Sequence, residues 1–312
     1  MRETFIRVLS DLASSDPRVL LLTADLGYTV LETFAETNPE QFFNVGVAEQ
    51  NMVGLATGLA EAGFIPFVYS IATFASLRAY EFIRNGPVRH RLPVRIVGVG
   101  GGFEYGSAGA THYALEDVGA WRMQPDLCLI APADFEQADR ALRATWNLSS
   151  PIYYRLGKNE KAKVPGLHGE FELGRAQLVR EGDDLVIVAM GAIAIEAVAA
   201  ADLLSQEGIE AAVVVVASVN PAPVDDLAAV LARFPLAITA EAHYRVGGVG
   251  SLVAEVIAER EIKCRLERCG VRAGTHGVTG SERFLNDMNG ISGSGLAAVA
   301  RGMLISASGE MS

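Results

Sequence analysis

The feature that most constrains this chain is an alternation repeated along it: short, β-branched apolar runs separated by longer amphipathic stretches. Runs that do not alternate with polar residues suit strands covered on both faces, as in parallel sheets flanked by helices. In the first half such strands are expected at Val19–Ala24, Phe42–Val45, Ile65–Ser70, Val94–Val99, Leu127–Ala131 and Ile152–Leu156. A second series follows at Leu185–Met190, Ala212–Ala217, Leu236–Ala240 and Leu266–Cys269, with a helix over Ala194–Gln206 that stops at Gly208. Between the two series, Gly157 to Asp183 is polar and punctuated by Pro165, Gly166 and Gly169, so it reads as an interdomain crossing. The expectation is two doubly wound α/β domains with mostly parallel sheets, residues 1–165 and 184–312, joined by a linker over 166–183. The last ~30 residues, rich in Gly and Ser, are expected to hold one helix at most.

Charge narrows the function. With 26 Lys and Arg against 37 Asp and Glu in 312 residues, the formal net charge is −11. That balance argues against a nucleic-acid surface or an anionic-membrane surface, both of which call for basic stripes. It leaves room for a few local cations around a small anion. The longest apolar stretch, Leu185 to Ile195, is too short to span a bilayer, and the N-terminus lacks the apolar core of a signal peptide. Cys128, Cys264 and Cys269 are odd in number and sparse, which suits a reducing cytoplasm and a role as small buried filler.

The usual phosphate cradles and nucleophile motifs are missing. There is no Gly-x-x-x-x-Gly-Lys-Ser/Thr loop, no Gly-x-Ser-x-Gly elbow, and no His/Cys cluster at metal-ligand spacing. Gly100-Gly101-Gly102 follows a strand, but the next residues do not make a dinucleotide-binding spacing. What remains is a set of polar and aromatic residues just past strand ends, where open α/β sheets place their sites: Asp25, Glu49, Phe74, Tyr80, the stretch Gly100 to His112, and Arg155. On position alone Glu49 is an acidic residue in the first turn of a helix running to Gly63, favoured there by the helix dipole. Gly54 and Gly58, four apart, would let that helix pack closely on another element.

In order along the chain, however, these residues resemble a known family. Gly46-Val47-Ala48-Glu49-Gln50-Asn51-Met52 looks like the catalytic glutamate motif of the transketolase family of thiamine-diphosphate enzymes. Thr23-Ala24-Asp25-Leu26 stands upstream; Thr73-Phe74, Arg78-Ala79-Tyr80, Ala110-Thr111-His112 and Tyr154-Arg155 follow. Glu241-Ala242-His243-Tyr244 with Gly247-Gly248-Val249-Gly250-Ser251 resembles the family's C-terminal domain. The likeness implies a pyrimidine-binding domain followed by a transketolase C-terminal domain. It gives Glu49 the task of hydrogen-bonding N1′ of the cofactor's aminopyrimidine, which favours the basic imino tautomer. Phe74 would cover the pyrimidine face, with Tyr80 standing in from the next turn for a ring missing at Leu77. Asp25 would lie near the pyrimidine. His112 would line the active-site channel and contact an oxygen of the substrate. Arg2, Thr29 and Arg155 match positions that hold a phosphosugar's phosphate, a task suited to the planar guanidinium fork. His243 is expected to serve packing, and His90, His168 and His276 show no partner pattern.

The chain also departs from ordinary transketolases. It has Gly100-Gly101-Gly102 and Gly106-Ser107-Ala108-Gly109 where they carry a histidine and, before the channel histidine, an aspartate. Losing a hydroxyl-reading carboxylate should alter selectivity. The expected donor is a ketose, phosphorylated or otherwise anionic; a modified sugar, a branched sugar or a sulfosugar would fit without being demanded, with Glu104 and Tyr105 as replacement contacts. The family's Gly-Asp-Gly diphosphate motif, whose hard oxygen ligands hold Mg²⁺, does not occur; the nearest fragment is Gly182-Asp183-Asp184. The resemblance thus implies a split enzyme. A separate N-terminal subunit would bring the diphosphate and Mg²⁺ site, and an α2β2 heterotetramer would place thiamine diphosphate across the interface. The β subunit of a 2-oxo-acid dehydrogenase's decarboxylating component shares the two-domain plan, and a non-catalytic regulatory subunit is the third reading.

Overall fold

A computed structural model describes residues 1–272 and 277–309. Twelve strands form two sheets: β1 Val19–Thr23, β2 Phe42–Asn44, β3 Ile65–Ile71, β4 Arg95–Val99, β5 Cys128–Ile130, β6 Ile152–Leu156, β7 Gln177–Arg180, β8 Leu185–Met190, β9 Ala211–Val216, β10 Ser218–Asn220, β11 Leu236–Tyr244 and β12 Arg265–Val271. The first sheet runs β10-β5-β6-β4-β3-β1-β2 and the second β12-β11-β8-β9-β7. All pairings are parallel except at one edge of each sheet, where β10 and β7 run antiparallel to their neighbours. The unalternating runs are buried along their whole length, as in Val-Leu-Leu-Leu-Thr of β1 and Leu-Val-Ile-Val-Ala-Met of β8. Helices on both faces account for that pattern.

The sequence placed ten of these strands to within a few residues at each end. It missed β7 and β10. Gln177–Arg180 lies in the stretch expected to be linker, yet it pairs with β9 through Gln177–Val215 and forms the outer edge of the second sheet. Ser218–Asn220 is short and pairs with β5, some ninety residues earlier, so local pattern could not reveal it. The C-terminal expectation is also corrected. Two helices, Glu282–Met288 and Gly293–Gly309, occupy the Gly/Ser-rich end. Leu296, Ala297, Ala300 and Met303 are buried at helical spacing, and Gly293 sits against Ala199 of the helix Ala194–Ser205. Small residues there allow two helix backbones to approach closely. His276 lies outside the described residues.

The two sheets share apolar packing: Trp121 and Val118 from the first half cluster with Val219, Leu227 and Val249 from the second. Main-chain bonds cross between them as well, from Ala131 to Ala217 and from Tyr244 to Leu115. Among the described residues no helix is long and apolar enough to cross a membrane. In the first sheet the chain steps from β1 to β2 on one side, then returns to β3 on the other. Beyond the C-terminal strand ends at that reversal, where open α/β sheets hold their sites, the segments after β2, β3 and β4 meet.

Candidate active site

Glu49 is the first residue of the helix Glu49–Glu61, entered from β2 through a turn in which Gly46 has φ 74°. The side chain is 3% exposed. A carboxylate so enclosed must be hydrogen-bonded. It accepts from Ser70 Oγ on β3 at 3.3 Å, and both oxygens accept from Arg78 Nη1, at 3.1 and 3.2 Å. The helix N-terminus adds favourable partial charge.

Arg78 closes a five-residue π-helical turn, Phe74–Arg78, directly after β3. Such widened turns recur at functional sites because they shift the helix phase. Here the turn brings the Arg78 guanidinium to 3.8 Å from the Phe74 ring centroid. Phe74 meets the His112 ring edge-on, with centroids 5.1 Å apart and planes at 66°. His112 ends a short 3₁₀ turn after Gly109, which has φ 87°, and its Nδ1 lies 3.0 Å from Thr111 Oγ1. Tyr105 stands 6.4 Å from His112, centroid to centroid, with Lys158 Nζ 4.0 Å over its other side. Glu49, Phe74, His112 and Tyr105 thus form one contiguous group with Arg78. Arg78 stands within the family motif, but resemblance gave it no role. Its signal was the i, i+4 spacing from Phe74, hidden because the π turn breaks ordinary helical phase.

The glycines after β4 have a structural cause. A side chain at Gly100 would strike the Tyr105 ring at 2.2 Å, one at Gly101 the Arg155 guanidinium at 2.5 Å, and one at Gly102 the Ala242 methyl at 2.6 Å. The loop is bare so that the aromatic wall, a buried arginine and the second domain can all approach it.

Other expected site residues go elsewhere. Arg155 is 6% exposed and turned between the domains: Nε donates to Asp117 at 2.8 Å, and Nη2 donates to the carbonyls of Ala114 and Ala242, both at 2.9 Å. A guanidinium enclosed in this way ties the two domains together through Asp117, Ala114 and Ala242. Tyr80 stacks on Trp121 at 4.9 Å, and its hydroxyl accepts from Gln124 at 2.7 Å. It packs partly buried against the core beside the site. Asp25 is exposed at φ 55°, bonded by Asn44 Nδ2 at 2.9 Å and by the Tyr28 hydroxyl at 3.3 Å. Thr29 follows in the same loop at φ 66°, a strained conformation for a β-branched residue. Arg2 begins the first helix; its Nε is buried without a partner among the described residues, and its charge bears on Tyr69 and Tyr105. Glu104 accepts from the Lys158 amide at 3.0 Å and faces Glu282 across the domain boundary; burial pushes its carboxyl up to about 8. Glu104 therefore stands apart from Glu49, whereas Tyr105 stands beside His112. His243, 1% exposed, accepts from the Gly119 amide at 3.1 Å, and burial lowers its pKa.

Comparison with known proteins matches these two domains. Residues 1–162 fit the family model of the transketolase pyrimidine-binding domain, and residues 174–292 that of the transketolase C-terminal domain. One subunit of an apulose-4-phosphate transketolase from Phocaeicola vulgatus is 33% identical over 270 residues, covering 85% of this chain and 86% of that one. A 6-deoxy-6-sulfo-D-fructose transketolase subunit from Clostridium sp. is 34% identical over 292 residues, covering 93% and 90%. Among solved structures, a split-gene transketolase described as an inactive β4 tetramer superposes with a TM-score of 0.85 at 34% identity, covering 96% of each chain. With both domain models matched in order and full-length likeness to separately encoded subunits, the chain belongs to the transketolase family, as the C-terminal-type subunit of a split thiamine-diphosphate-dependent transketolase.

Proposed function

We propose that this chain supplies the pyrimidine-binding side of a transketolase active site that moves a two-carbon ketol unit from an anionic ketose to an aldehyde. The observation that carries the reading is Glu49: a carboxylate 3% exposed, set at a helix N-terminus, whose only charged partner among the described residues is a half-exposed side chain lying on an aromatic face.

Those residues fit the cofactor. A flat, cationic heteroaromatic ring with an N–H edge needs an apolar face and a buried acceptor; Phe74 and Glu49 offer both, side by side. When bound, thiamine diphosphate supplies a thiazolium C2–H acid and, in its 4′-amino group, the base that removes that proton. Glu49 would hold the proton at N1′ and so keep the amino group basic. Phe74 would fix the ring plane and exclude water from it. His112, held by Thr111 and Phe74, would donate to the oxygen of the transferred group. Arg2, whose Nε is buried and unpaired among the described residues, takes the anion-holding role beside Arg155, with Thr29 and Lys158 as further donors. The named relatives act on a phosphorylated and a sulfonated ketose, so a terminal oxyanion is the common element.

A diphosphate-binding partner subunit would supply Mg²⁺ and complete the site, in an α2β2 assembly. Among the described residues no group of three or more His, Cys, Asp and Glu is placed to hold a metal ion.

The test is to co-express the chain with its partner subunit and follow hydrogen exchange at the cofactor's C2. The wild-type complex should exchange rapidly, and Glu49→Gln should abolish exchange while the complex still assembles. Ketol transfer should need no lipoyl domain. A complex that holds no thiamine diphosphate, or a Glu49→Gln complex that exchanges like wild type, would overturn the reading.

A further inference from the structure

We propose that Arg78 is a built-in placeholder for the cofactor's aminopyrimidine, occupying its site until the ring displaces it. The inference rests on the function proposed above, and it adds how the half-site keeps its buried carboxylate before the ring arrives.

A guanidinium is planar, cationic and edged with N–H donors. Arg78 uses each of these properties on the two residues that would receive the ring. It lies over the Phe74 face, with the central carbon 3.8 Å from the ring centroid. One nitrogen donates to both Glu49 oxygens, at 3.1 and 3.2 Å. At that separation nothing else fits between guanidinium and ring, so Arg78 and an aromatic guest exclude one another. The pairing also has a direction of release. Glu49 is 3% exposed and anchored by Ser70, whereas Arg78 is 46% exposed. The carboxylate stays and the arginine swings into solvent.

The device solves a problem of charge. A carboxylate buried for one ligand is costly while that ligand is absent. A half-exposed arginine offsets the cost without holding tightly, since exposed ion pairs contribute little. Only the fraction of molecules with Arg78 released can take the ring, so apparent affinity falls by that fraction. Removing Arg78 should therefore tighten and speed cofactor uptake by roughly two- to sixfold.

Two measurements decide it. Stopped-flow quenching of protein fluorescence follows thiamine diphosphate entering the co-expressed complex. Arg78→Ala should bind faster and tighter than wild type, and Arg78→Lys, which keeps the charge but loses the plane, should fall between them. Guanidinium-detected ¹⁵N NMR of selectively labelled complex should show a slowly exchanging Arg78 signal that vanishes when thiamine diphosphate is added. A wild-type complex that takes up no thiamine diphosphate overturns the proposed function and the placeholder together. One that binds at a rate Arg78→Ala leaves unchanged or slows, or that keeps the Arg78 signal when loaded, overturns the placeholder alone.

Discussion

Two arginine–carboxylate pairs sit within one sheet's reach of each other and have opposite characters. Arg155 and Asp117 are 6% and 0% exposed, lie between the domains, and are tied further by Tyr153 and by carbonyls from both halves of the chain. Arg78 and Glu49 join a 46%-exposed cation to a 3%-exposed anion beyond the C-terminal end of β3. The first pair is closed on every side, so neither member can exchange partners cheaply. The second is open on the arginine's side alone, so Arg78 can leave Glu49 without breaking the fold around it. Motif resemblance implied a substrate contact for Arg155 and gave Arg78 no role; burial and hydrogen-bond partners make Arg78 the more accessible of the two.

The largest way to break the comparison is to remove one member of the closed pair. Asp117→Ala leaves a buried guanidinium uncompensated and should cost about 3–5 kcal/mol in urea unfolding. Adding Arg155→Met to it should cost no more than the worse single change, because the stranded charge is gone. A loss below ~1 kcal/mol for Asp117→Ala would mean that water reaches the pair, and the interdomain tie would fail.

A second break uses pH. Glu241 lies fully buried nearby, with His243 Nδ1 at 4.0 Å and the charges of Arg155 and Arg268 bearing on it. Burial nevertheless prevails and lifts its carboxyl from 4.5 to about 7. A raised acid stabilises the fold only while protonated. Between those values the unfolded chain has lost its proton and the folded chain has not, so stability falls as pH rises through the window. The full span corresponds to about 3 kcal/mol. Glu241→Gln should flatten that part of the urea-midpoint profile between pH 4.5 and about 7; an unchanged slope would show that the folded-state carboxyl is solvated.

The parts of this molecule that were readable in sequence are those set by local pattern. Strands such as Leu185–Met190 announce themselves because both faces are covered, and Glu49 because seven consecutive residues fit a motif. What was unreadable depends on distant partners or on phase. Ser218–Asn220 is a strand only because β5 lies beside it. Arg155 looks like any arginine past a strand end until Asp117 is placed against it. Arg78 and Tyr80 depend on phase together, since the π turn sets Arg78 over Phe74 while Tyr80 stacks on Trp121.

A smaller effect is expected in the loop after β1. Thr29 holds φ 66° although it is β-branched, a conformation that glycine adopts without penalty. Thr29→Gly should therefore raise stability by about 1 kcal/mol, while weakening the binding of an anionic ketose through loss of the hydroxyl. A variant that gains no stability and keeps full affinity would remove Thr29 from the site.

The smallest change should come from opening the exposed pair. Arg78→Met withdraws the cation from Glu49, but the carboxylate keeps Ser70 Oγ and the helix N-terminus, and water can enter where the guanidinium lay. The expected cost in urea unfolding is about 1 kcal/mol or less, well below that of Asp117→Ala. The comparison of the two pairs stands or falls on this ratio. If Arg78→Met destabilises the chain as much as Asp117→Ala does, the arginine is a structural member of the fold, no freer to leave than Arg155. If the loss is small while cofactor uptake accelerates, exposure on one side of a buried ion pair marks where this fold admits a ligand.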